Sequence, residues 1–158
     1  MKAASVKKIK EELNTRSPKE LLELCLRLSR FKKENKELLT YLLFEAYDEQ
    51  TYIESVKEFI DEEFKLINTK SYYYIRKSVR KILTATKKYI RYSGKKETEV
   101  ELLIYFCLKL RKLNPSITRS MALRNMYMRQ VDLIKKALSK LHEDLQIDFE
   151  SDMDQLLN

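Results

Sequence analysis

One glycine and two prolines in 158 residues leave this chain almost nothing from which to build tight β-turns. Two-residue hairpins draw on Asn-Gly, Asp-Gly or Gly-Gly pairs, because glycine reaches positive φ without strain. No such pair occurs. Leu, Lys, Glu and Arg are abundant instead, and these straight-chain or γ-branched residues lose little rotamer freedom in a helix. The expected fold is all-α. The length suits a single helical domain, read here as residues 1–145, with residues 146–158 as an acidic tail or short terminal helix.

Capping signals and apolar spacing divide the chain into helices. Val6, Ile9 and Leu13 recur at helical spacing and predict a short basic helix over Ala3–Leu13. Ser17-Pro18-Lys19-Glu20 is a strong start signal: a serine acceptor, a proline that needs no donor, and a glutamate placed for a capping box. That second helix extends to Phe31, and a third covers Glu34–Tyr47. Thr51 with Glu54 repeats the capping-box pattern and opens a fourth, ending near Ile67. The fifth runs from Lys70 to Ser93 and stops at Gly94, the residue that tolerates a left-handed cap. A sixth spans Glu97–Leu113, and a seventh spans Ile117–Leu145 with a break expected in its first turns. Short connections make successive helices antiparallel neighbours.

The segments LLELCLRLSRF (21–31) and LIYFCLKLRKL (103–113) match at an offset of 82 residues, with Cys25 on Cys107, Arg27 on Lys109 and Arg30 on Lys112. Half that offset falls inside the period of HEAT and armadillo units, about 40–47 residues. In this respect the chain resembles a HEAT/armadillo-like α-solenoid with hairpins at 18–47, 51–93 and 97–145. The resemblance implies a HEAT-like right-handed superhelix of antiparallel hairpins. The alternative is an irregular helical bundle.

Charge is distributed unevenly. The first 142 residues hold all 32 basic residues and 18 of the 24 acidic ones, whereas the last sixteen hold six acids and no base. Between Phe64 and Lys96 stand eleven Lys and Arg residues and no Asp or Glu. At 100° per residue the fifth helix gathers Ile75, Val79, Ile82, Thr86, Tyr89 and Ile90 on one side. Arg76, Lys77, Arg80, Lys81, Lys87, Lys88 and Arg91 occupy the opposite arc, with Tyr73 among them. A cationic rod carrying aromatic side chains suits a polyanion: arginine takes phosphate with two N–H groups, and tyrosine offers a hydroxyl or a stacking face. The expected partner is nucleic acid, with an acidic protein as the alternative. A solvated helix face would carry the same pattern, partly neutralised by Glu54, Glu58, Asp61 and Glu62 on the fourth helix. A second functional expectation is a protein-binding scaffold that uses the groove between hairpins.

Catalytic chemistry has few residues to draw on. His142 is the sole histidine, and no Cys-x-x-Cys, His-x-x-x-His or glycine-rich phosphate loop occurs. No catalytic residue, metal or cofactor is expected, and His142 is taken as a partly exposed packing residue. Both cysteines sit in apolar runs and are expected as reduced core thiols. Met121, Met126 and Met128 are expected mainly in core and boundary packing. The opening MKAASVKKIKEEL lacks an apolar export stretch, and no run of about 18 apolar residues occurs, so the expected compartment is the cytoplasm, without integral membrane association.

Overall fold

Nine α-helices account for the fold, and there are no strands. The computed structural model describes residues 1–158, which form two compact units, Met1–Phe44 and Glu45–Asn158. No helix is long and apolar enough to cross a membrane.

The first unit contains α1 (Val6–Leu13), α2 (Pro18–Phe31) and α3 (Lys33–Thr40). Ser17 caps α2 as its sequence signal requires. Its hydroxyl accepts from the Glu20 amide, while Glu20 accepts from the Ser17 amide at 2.8 Å. α1 starts three residues later than Ala3, because Ser5 in extended conformation accepts from the Lys8 amide and fixes the cap there. α3 gives way at Tyr41–Glu45 to a π-helical turn, which shortens the helix expected to reach Tyr47. Within this unit α2 packs on α3, and α1, α2 and α3 contain no buried residue. Cys25 is consequently exposed, not the core thiol expected from its apolar flanks. Hydrophobic neighbours in sequence do not by themselves bury a side chain; enclosure by packed elements does.

The second unit holds α4 (Glu49–Lys65), α5 (Tyr72–Ser93), α6 (Lys96–Arg111), α7 (Met121–Leu138), α8 (Glu143–Asp148) and α9 (Glu150–Leu157). α6 is its axis and packs against α4, α5, α7 and α9. The sequence of α6 explains that position. Val100, Leu102, Leu103, Ile104, Phe106, Cys107 and Leu110 are buried all round the helix, as a helix enclosed by others requires. Burial pushes the Cys107 thiol up to about 12, which leaves it an inert packing group.

Polar contacts lock α4 onto this axis. Glu49 accepts from the hydroxyls of Ser93 and Thr98 and pairs with Lys95 at 3.1 Å, tying the start of α4 to the junction of α5 and α6. Burial raises the Asp61 carboxyl, but hydrogen bonds from Lys109 and Tyr105 outweigh it and hold the group below the ordinary range. Burial likewise lowers Lys57, and Glu101 and Glu54 outweigh it and raise the ammonium.

Several boundaries differ from expectation for local reasons. The cap of α4 is Asp48, whose carboxylate accepts from both the amide and the hydroxyl of Thr51, so Thr51 lies inside the first turn. The seventh helix is interrupted in its first turns, as expected, and a second time near its end. Ile117–Arg119 forms a 3₁₀ turn before Ser120 caps α7, and the chain turns after Leu138. His142 then caps α8, its Nδ1 accepting from the Asp144 amide, and is exposed rather than packed. α9 is held in place: Leu156 is buried, its carbonyl accepts from the Tyr127 hydroxyl at 2.7 Å, and Arg111 donates to the Gln155 carbonyl.

Candidate polyanion groove

α5 has the length and polarity that its sequence promised. Ser71 caps it, Gly94 ends it at φ 69°, and its 22 residues make a rod about 33 Å long. Ile75, Val79, Ile82, Leu83, Thr86 and Ile90 face the core. The cations of the opposite arc divide into two sets.

Arg76, Arg80 and Lys87 face a groove of about 780 Å³ between α5 and α7. Across from them α7 contributes Arg129 and Lys136, with Asp132 as the one carboxylate in the walls. Leu83, Ala122, Met126 and Leu133 supply an apolar lining, and Asn125 and Gln130 supply amides. Five cations against one anion is an unusual balance for this molecule. The cleft of about 570 Å³ between α1 and α2 sets Lys8, Arg16 and Arg27 against Glu12, Glu20 and Glu23. The α5–α7 groove therefore carries an excess of positive charge that the α1–α2 cleft lacks.

The remaining predicted site residues lie on α5 outside this groove. Lys77 and Arg91 are exposed. Lys81 is drawn toward Glu63 of α4 at 3.8 Å, a long and solvated pair of small energetic weight. Lys88 is half-buried and lies 5.4 Å from the centre of the Tyr89 ring. The acidic face of α4 does not sheathe the helix as a whole, because Asp61 pairs with Lys109 and Glu62 with Lys65. The acidic C-terminal segment docks through Leu156 and Gln155 on Tyr127 and Arg111.

Within the groove, Lys87 is half-buried, and burial pulls its ammonium below the usual lysine range. Glu99 of α6 acts in the opposite direction without cancelling that effect. An anion placed beside Lys87 would restore what burial removes. Tyr73 stands at the N-terminal end of the rod, 60% exposed, with the Arg76 guanidinium 5.9 Å from its ring centre and Tyr74 packed edge-on against it. An exposed aromatic ring braced by arginine is a stacking surface.

The α7 wall was missing from the sequence expectation. Arg129 and Lys136 are seven residues apart, as are Met126 and Leu133, so each pair shares a helix face. That spacing shows that the cations and apolar residues align along α7. Nothing in it indicates that the face meets α5. The methionines also differ from expectation: Met121 and Met128 are exposed, and Met126 lines the groove. No three His, Cys, Asp or Glu side chains converge where they could hold a metal ion. No family model, curated protein or solved structure matches this chain.

Proposed function

We propose that the protein is a non-enzymatic helical module that binds a polyanion, nucleic acid in particular, in the groove between α5 and α7. The observation that carries this reading is the convergence of Arg76, Arg80 and Lys87 with Arg129 and Lys136 around a groove holding a single carboxylate. Like charges facing one groove from two helices repel, and the arrangement becomes favourable when a ligand supplies negative charge. Side chains of this kind position a phosphate backbone without reading its sequence. Tyr73, Lys77, Lys81, Lys88 and Arg91 extend the contact along α5. The same reading treats α4–α5 and α6–α7 as consecutive HEAT-like hairpins in a right-handed stack. It is supported by the packing of α4 on α5, of α6 on α7, and of α6 on both helices of the preceding pair.

The test is the salt dependence of binding to a short fluorescent single-stranded oligonucleotide. Three to five phosphate contacts at about −0.7 each give an expected slope of log affinity against log salt between about −2 and −3.5. A slope near zero would reject an electrostatic groove. One observation favours a second reading, a protein-docking scaffold: Leu22, Leu24, Leu26, Leu28 and Phe31 are all exposed on α2. A partner retained through nuclease treatment and high salt would support that reading instead.

A further inference from the structure

Gln130 stands out among the groove residues. It is 4% exposed, and its Nε2 donates to the Met126 carbonyl at 3.1 Å. Its Oε1 is buried and has no hydrogen-bond partner, the only buried side-chain nitrogen or oxygen so placed. An unpaired buried amide oxygen carries a desolvation cost comparable to a lost hydrogen bond. The missing partner must be a donor. The cations of the groove suit phosphate, yet a phosphodiester oxygen has no proton to give. A nucleobase does, through an exocyclic amine or ring N–H.

Resting on the polyanion reading above, we propose that the α5–α7 groove takes a single nucleic-acid strand and admits one of its bases to the Gln130 amide. The groove has the dimensions and the chemistry for it. Arg76 and Lys87 stand eleven positions apart on α5, about 16 Å, the length of four or five stacked nucleotides at about 3.4 Å each. Leu83, Met126 and Leu133 give the base an apolar bed, and the unbranched Met126 side chain can move aside for it. Beside Arg76 and outside the groove lining, Tyr73 offers its exposed ring to a neighbouring base. A duplex cannot be bound this way. Its bases are reached by inserting a protein helix or ribbon into a DNA groove, whereas here the protein supplies the concave surface.

Three labelled probes test the proposal on the full chain: a short mixed-sequence DNA single strand, the same strand with its bases removed, and the matching duplex. The natural strand is expected to bind at least about tenfold more tightly than the other two, from stacking and base contacts together. Gln130→Met keeps the length of the side chain and removes the amide. It is expected to weaken binding of the natural strand about three- to tenfold, to leave the base-free strand unaffected, and to leave the melting temperature unchanged or raised. Steeply salt-dependent binding that is equal for all three probes would overturn the single-strand proposal while leaving the electrostatic reading intact. An equal Gln130→Met loss on the natural and base-free strands would also overturn it. Absence of binding to every probe would overturn both.

Discussion

Replacing Arg80, Arg129 and Lys136 together by glutamate is expected to weaken binding of a single-stranded oligonucleotide by at least about a hundredfold. All three side chains are exposed, so reversal leaves the core untouched and the helices folded. Hydrogen bonds to charged groups contribute about 1.5–3 kcal/mol each, and even after solvent screening three of them exceed the roughly 2.7 kcal/mol that a hundredfold loss represents. The informative comparison is a second triple variant with Lys77, Lys81 and Arg91 changed to glutamate. It alters the formal charge by the same amount but modifies α5 outside the groove. Charges at a rim act chiefly on association rate and salt sensitivity. Its expected loss is therefore the smaller of the two and falls mainly in the association rate. Equal losses would mean that net charge, and not the groove, governs binding.

The largest effect on stability is expected from Phe106→Ala. Phe106 is fully buried on α6 and meets Phe64 of α4 edge-on, with ring centres 5.7 Å apart. Truncating a buried phenylalanine typically costs about 3–5 kcal/mol, the lost transfer energy plus the cavity left behind. That is a large share of the roughly 5–15 kcal/mol that holds an ordinary domain together. The void opens on α6, the helix that contacts α4, α5, α7 and α9. Leu28→Ala on the exposed face of α2 is the control, with an expected change within about 0.5 kcal/mol. Urea unfolding followed by circular dichroism reads both. A Phe106→Ala loss under about 1 kcal/mol would contradict the central role assigned to α6.

What the sequence disclosed was local. Ser17-Pro18 with Glu20, the glycine at 94 and the apolar repeat from Ile75 to Ile90 each act within one or two helical turns, and each appears in the structure as expected. Local competition also explains the errors. Asp48 lies three residues before Thr51 and takes over its capping role, and His142 acts as a cap inside a stretch whose apolar spacing continues through it. The candidate site was half visible. Its α5 wall is a run of cations within one helix, whereas Arg129, Gln130 and Lys136 lie some fifty residues further along, and only tertiary packing brings them opposite Arg80. Cys25 and Cys107 show the same limit. Matching apolar flanks led to one exposed thiol and one buried thiol, because α6 is surrounded by four helices whereas α2 contains no buried residue.

The most direct test locates the nucleic acid on the protein. Ultraviolet crosslinking of the intact chain to a photoreactive single-stranded oligonucleotide, followed by peptide mapping, should place adducts on both α5 and α7, centred on the stretch from Tyr73 to Lys87 and on Met126 to Lys136. Adducts confined to the basic α1 segment, or spread without preference over the exposed lysines, would show that strand and groove do not meet.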